Sequence, residues 1–216
     1  MHMSDDFAYT PPTEPWLTVV HEDRDMVVID KPSGLLSVPG RVHADSALSR
    51  VAGDERRAYA VHRLDMDTSG LLVIALRRKA ERALQQQFRE RSVDKRYTAV
   101  VCGVVPDDAG EIDLPLSRLS THPPRSVVDC AAGRPARTMY RVLTRQSDRT
   151  VLLLTPKTGR SHQLRVHLAH LGHPIVGDRF YGGLQHPNQR LHLHAQRLSV
   201  DHPFDGRRMH FESPVP

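Results

Sequence analysis

The residues best placed to do chemistry lie in Val61-His62-Arg63-Leu64-Asp65-Met66-Asp67-Thr68-Ser69-Gly70, which runs straight into the apolar stretch 71–76. Asp65 is a carboxylate in a tight polar turn just before core structure, a place that can hold an acid rigidly and partly out of water. Such a group can serve as nucleophile, general base or electrostatic stabiliser. Asp65 and Asp67 can equally be turn residues whose carboxylates only hydrogen-bond nearby backbone. The residue types alone leave both readings open.

A second concentration is histidine-rich: His162, His167, His170 and His173. His162 and His167 are five apart, about 140° around a helix axis, which is poor spacing for shared metal ligation. His192 and His194 share one face of a strand, and such a pair can bind metal. No cysteine or carboxylate set accompanies them, so no metal site is expected. Cys102 and Cys130 have no CxxC partner and cannot make a disulfide framework. There is no GxxxxGK[ST], no GxGxxG and no HExxH, so nucleotide hydrolysis, dinucleotide redox chemistry and zinc proteolysis all lack their signatures.

The elements that must position these groups follow from periodicity. Residues 26–30 and 71–76 read as buried strands, the second buried on both faces. Between them lie a Pro/Gly-punctuated loop, 31–40, and a short helix over 46–51. Ala80, Leu84 and Phe88 recur at i+4 and predict an amphipathic helix over 78–91. Strands are expected over 97–105, 110–116, 127–130, 138–143, 151–154, 191–200 and 207–211. A second helix is expected to begin with Ser161 as N-cap and to turn Leu164, Leu168 and Leu171 inward. Many strands and two convincing helices, without βαβ alternation, predict an α+β fold with a mixed, largely antiparallel sheet.

The chain has 216 residues, 39% hydrophobic and 25% charged, the composition of a soluble globular protein. Its longest apolar stretch, 70–76, is far short of the roughly 18 residues of a membrane span. The N-terminal segment does not read as a signal peptide. Residues 1–15, with Pro11, Pro12 and Pro15, are expected to form a flexible arm, and 16–216 one domain. The formal net charge is +5, and of the 30 basic residues 26 are arginine. Arginine pairs bidentately with phosphate and stacks on bases, which suits RNA. A GC-rich genome produces the same bias without functional meaning. The run Arg77, Arg78, Arg82, Arg89, Arg91, Lys95 and Arg96 is correspondingly either an RNA-backbone track or a solvated helix face.

The motif order narrows these choices. His62-Arg63-Leu64-Asp65 followed by Thr68-Ser69-Gly70 resembles the signature of the RluA family of RNA pseudouridine synthases. Further stretches match in order: Asp30-Lys31-Pro32-Ser33-Gly34-Leu35-Leu36, then Lys95-Arg96-Tyr97-Thr98-Ala99-Val100-Val101-Cys102-Gly103. After these come Thr158-Gly159-Arg160-Ser161-His162-Gln163-Leu164-Arg165-Val166-His167, His173-Pro174-Ile175-Val176-Gly177-Asp178 and Leu193-His194-Ala195. The chain is similar to short members without an N-terminal S4 RNA-binding domain, and none is expected here.

The resemblance implies a single catalytic domain that isomerises uridine to pseudouridine in a 23S rRNA hairpin and in the anticodon loop of certain tRNAs. RNA is the implied partner, with no cofactor, no membrane and no obligatory protein partner, in the cytoplasm. It makes Asp65 the acting carboxylate and Arg165 its counter-ion. Tyr97 would stack on the uracil as a candidate for proton transfer, and Leu193 would pack on the target ring. Arg63 looks like the residue that fills the place left by a flipped base, and His62 is read as a brace for the loop. Without the resemblance, Arg165 would be a phosphate-binding or solvated arginine, Tyr97 a core tyrosine and Leu193 one more strand leucine. Two rivals remain: a non-catalytic RNA-binding module on the same scaffold, and a metal-dependent hydrolase built on the histidines, which EDTA would inhibit.

A basic, arginine-rich RNA-binding chain should bind mainly through phosphates. Log affinity for an RNA hairpin is expected to fall linearly with log salt, by about 0.7 per single-stranded phosphate neutralised. A titration series showing salt-independent affinity would contradict this.

Overall fold

The structure is a computed structural model and describes residues 9–54, 56–121, 124–182 and 189–216. The strands are β1 (Thr18–Glu22), β2 (Met26–Lys31), β3 (Tyr59–Ala60), β4 (Ser69–Ala75), β5 (Asp94–Cys102), β6 (Ala109–Asp113), β7 (Leu116–Leu119), β8 (Arg125–Val128), β9 (Arg137–Arg145), β10 (Arg149–Pro156), β11 (Leu193–Asp201) and β12 (Arg208–Glu212). The helices are α1 (Ala47–Ala52), α2 (Arg78–Glu90) and α3 (Gln163–His170). Eight strands follow the order β1-β2-β4-β11-β5-β10-β9-β6. β3 adds to β4 and β12 to β11, while β7 and β8 form a separate ribbon. Every pairing is antiparallel except β4 with β11, so the sheet is mixed and largely antiparallel, as periodicity predicted.

Packing explains why β4 carries no polar face. Leu71, Val73 and Ala75 enter one core cluster with Ala80 and Leu84 of α2, whereas Leu72 and Ile74 enter another with Leu35 and the α1 residues Ala47 and Val51. A third cluster joins β5, β10 and β11 to Leu164 and Leu168 of α3. Tyr97 packs against both of the last two clusters, at the seam between them.

That seam is narrow. β4 and β11 share only the pairs His194↔Ser69 and Ala195↔Gly70. Gly70 has φ +111, and a Cβ there would lie 2.4 Å from the Ala195 carbonyl oxygen, so only glycine lets the strands approach. Side chains lace the same junction. Ser69 Oγ lies 2.9 Å from His194 Nδ1, His194 Nε2 lies 3.0 Å from Ser213 Oγ, and Ser213 Oγ donates to Asp30 of β2. Burial pushes the His194 pKa down, so the ring bridges the two hydroxyls as a neutral imidazole.

Several local expectations need correction. The strand expected over 110–116 is two strands, because Pro115 has no amide proton with which to continue the ladder. Ser161 is not the cap of α3: the N-cap is His162, in a left-handed conformation at φ 55, without a side-chain capping bond. Leu171 is not part of the inward stripe but stands 41% exposed, because α3 stops at His170 before Gly172. β1 and β3 went unread, one a largely exposed edge strand and the other two residues long. Of the expected arm, residues 1–8 lie outside the described residues. Within the rest, the Tyr9 hydroxyl donates to the Asp45 carbonyl at 2.9 Å, and the Pro12 carbonyl accepts from Arg50 at 2.8 Å.

Gly70→Ala combines a disfavoured backbone conformation with a backbone clash where, among the described residues, β4 and β11 join the two halves of the sheet. It should cost at least about 2 kcal/mol in urea unfolding. A variant of unchanged stability would show that the strand approach is not constrained as described.

Candidate active site

The turn that carries Asp65 is held by its neighbours before any ligand arrives. Lys31, fully buried, donates from Nζ to the carbonyls of Pro32 and Leu35 at 2.8 Å and Met66 at 3.0 Å. Burial pushes its pKa down to about 7, against the charges of Asp67, Asp65 and Asp30. Three carbonyl acceptors require three N–H donors, which only the ammonium form supplies, so the geometry favours the charged state. Ser33 Oγ donates to the Asp67 carbonyl, and Ser37 Oγ donates to the Leu64 carbonyl and accepts from its amide. The loop after β2 therefore clamps 64–67 from one side. His62 braces the other: its Nε2 accepts from the Val73 amide at 3.1 Å, and its ring stacks on Phe88 at 4.5 Å. Burial and the Lys95 charge hold its pKa at about 3, so it remains a neutral acceptor.

Arg165 faces this turn from α3. Its side chain is 2% exposed, against 26% for Asp65. Nε and Nη2 donate to the two oxygens of Asp178 at 2.8 and 2.7 Å, a bidentate pair, and Nη1 lies 3.4 Å from Asp65 Oδ2. Burial opposes the charge, but the Asp178 hydrogen bonds and the charges of Asp178, Asp65 and Asp67 outweigh it and raise the Arg165 pKa. Asp178 is fully buried and also accepts from the amides of Phe180 and Tyr181. Phe180 has two guanidiniums near its ring, those of Arg165 and Arg125, each 5.1 Å from the centroid.

The other expected residues fall as follows. Tyr97 sits in the middle of β5 opposite Ala195 and Leu154. Burial first, and then the Asp65 charge, raise its pKa, so the phenol keeps its proton at neutral pH. Leu193 begins β11, 3% exposed, opposite Ala99. Arg63 is exposed, two residues ahead of Asp65. Of the basic run, Arg89, Arg91 and Lys95 meet Arg137, Lys157 and Arg160 around a groove of about 600 Å³, with Asp94 among them. Arg77 and Arg78 lie apart from it, paired with Asp25 and Glu81.

Two of the histidines weighed as metal ligands are engaged through both ring nitrogens. His194 uses both ring nitrogens on Ser69 and Ser213, and His167 uses both on Thr138 and the Leu114 carbonyl. Sequence reasoning missed Lys31 and Asp178 as parts of the site. Both stand within quoted motifs, but their partners lie in other stretches of chain.

Residues 25–170 match the family model described as RNA pseudouridylate synthase. The chain is 48% identical over 212 residues to the dual-specificity RNA pseudouridine synthase RluA of Escherichia coli K12, covering 96% of this chain and 97% of that protein. The Haemophilus influenzae protein of the same name is 46% identical over 213 residues, 95% and 96% of the two chains. Among solved structures, human RNA pseudouridylate synthase domain containing 1 superposes with a TM-score of 0.78 at 29% identity, covering 92% of this chain and 83% of that one. Human RNA pseudouridylate synthase domain containing 4 gives 0.75 at 26%, covering 92% and 88%.

The two carboxylates around Arg165 should separate cleanly in stability. Asp178→Ala leaves a buried guanidinium without its bidentate partner and is expected to cost about 3–5 kcal/mol. Asp65→Ala leaves that pair intact and should cost less than about 1 kcal/mol. Urea unfolding of both variants checks the contrast; equal losses would refute it.

Proposed function

The chain belongs to the RNA pseudouridylate synthase family, and from that premise we propose that it converts uridine to pseudouridine in both a 23S rRNA hairpin and the anticodon loop of tRNA. The reaction breaks the N1–C1′ bond, turns the uracil and rejoins it through C5. C5 loses a proton and N1 gains one, so no co-reactant is required. What it needs is an ionised carboxylate beside the sugar, acting as nucleophile or base and stabilising cationic character at C1′.

The observation that carries this reading is Asp65, in a turn clamped from both sides, with Oδ2 3.4 Å from the buried, always-charged Arg165. Arg165 sets a fixed positive charge beside that carboxylate. Tyr97, protonated and near enough to feel the Asp65 charge, is suited to stack on the uracil and donate a hydrogen bond. Leu193 offers an apolar surface to the same ring. The uracil is reachable only when unstacked, so the nucleotide must flip, and exposed Arg63 is placed to stack into the gap. The basic groove offers a path for flanking phosphates. An RNA-binding module without catalysis would have no use for this preformed ion pair. Dual specificity finds support in relatives of that name covering almost the entire chain. Action on these two substrates is in keeping with a cytoplasmic enzyme.

Single-turnover rates on two substrates test the assignments together. Asp65→Asn should bind RNA and stay folded yet form almost no pseudouridine on either a structured stem-loop or an RNA whose uridine is already unstacked. Arg63→Ala should lose much more on the stem-loop than on the unstacked RNA, because flipping costs a few kcal/mol only in the first. Substantial turnover by Asp65→Asn would sink the role of Asp65. Equal losses for Arg63→Ala would move Arg63 from base extrusion to chemistry or general phosphate binding.

A further inference from the structure

His162 is the motif residue to which the reading above gives no task, yet its placement is specific. Among the described residues only Arg91 and His162 have positive φ without being glycine. Arg91 caps the end of α2, an ordinary place for the left-handed conformation. His162 adopts it at the start of α3, where a helix needs no such turn. The conformation brings its Nε2 to 3.9 Å from Asp65 Oδ1.

The opposite edge of the ring is anchored. His162 Nδ1 lies 2.8 Å from the Tyr181 hydroxyl, which accepts from the Ser126 amide of β8 at 2.9 Å. A hydroxyl that accepts from an amide still has its own proton to give. When Tyr181 gives that proton to Nδ1, the imidazole proton sits on Nε2, facing the carboxylate. Phe180 stacks along the ring at 5.8 Å and Tyr181 meets it edge-on at 5.7 Å. The charged groups around it are Asp65, Arg165, Asp178 and Arg118, and burial keeps the ring toward its neutral form.

We propose that His162 is a positioning residue for Asp65: its Nε2–H hydrogen-bonds Asp65 Oδ1 when RNA fills the cleft, in the tautomer that Tyr181 imposes. The inference rests on Asp65 being the acting carboxylate. Arg165 alone reaches Oδ2 and leaves the carboxylate free to turn about that contact. A donor on Oδ1 fixes its plane, and the partly exposed Asp65 side chain needs to move only about 1 Å to close the bond. Contacts of this kind are commonly long before substrate arrives.

The test combines activity with a readout that needs none. In full-length protein, ¹⁵N NMR of the His162 ring should show the proton on Nε2, and Tyr181→Phe should remove that preference. At saturating RNA, His162→Phe should lower the single-turnover rate by about 10- to 100-fold, the scale of a misplaced reacting group. RNA affinity should change less than about threefold. His162→Gln, which keeps an N–H donor, should recover most of the rate, and Tyr181→Phe should fall between. A wild-type proton on Nδ1, or a near-normal rate for His162→Phe, would overturn the proposal. If His162→Phe does not fold, the comparison of His162→Gln with Tyr181→Phe and the tautomer decide it, and an unrecovered rate in His162→Gln counts against it. Failure of the functional reading looks different: the wild type would form no pseudouridine at all, while the tautomer would still be measurable.

Discussion

A guanidinium removed from water must be compensated where it sits, and Arg165 is almost wholly removed. Asp178 satisfies two of its donors in a plane and leaves one edge facing Asp65. The rest of the cleft follows from this. Asp178 is itself satisfied by backbone amides of Phe180 and Tyr181, so the segment after Val176 is shaped around the carboxylate. Tyr181 then reaches both Ser126 and His162, tying the small β7–β8 ribbon to the start of α3. One buried cation thus sets the positions of side chains from several separate stretches. An isolated buried ion pair is weak support for stability, but this one organises geometry instead.

The opposite wall uses a buried amine together with backbone carbonyls and hydroxyls to the same end. The loop after β2 meets the Asp65 turn through carbonyls gathered around Lys31 and through the hydroxyls of Ser33 and Ser37. The Asp65 side chain is left partly open to solvent while the backbone around it is pinned. The proposed role in meeting a bulky RNA substrate would use both properties: a fixed origin and an open face. Rigid backbone with accessible side chain is the pattern of a preorganised site rather than of a turn that only satisfies itself.

Much of this was legible in the residues. The period-4 stripe of α2 and the unbroken apolar run of β4 dictate their elements, because each is decided by local burial. The motif around Asp65 singled out the turn that Arg165 faces. What stayed hidden depends on distant partners or on single atoms. Asp178 looks like a turn aspartate until Arg165 arrives from α3. Ser161 has the chemistry of an N-cap, but the chain spends that position on turning His162 and caps nothing with it. Pro115 stands inside the strand expected over 110–116, yet the chain breaks there and β7 enters a separate ribbon, which no local pattern specifies. Lys31 opens a Pro/Gly loop in sequence, and its burial comes from tertiary closure over the Met66 carbonyl.

The two-pair contact between β4 and β11 has a consequence in time rather than space. Ser69 and His194 are 125 positions apart, and β11 is the next-to-last strand to leave the ribosome. Closing so long a loop carries an entropic cost that local contacts do not bear. Tyr97 has only one flanking strand until β11 arrives, and Leu193 is itself part of that arrival. A nascent or truncated chain can therefore own the Asp65 turn and the α3 arginine without owning a cleft.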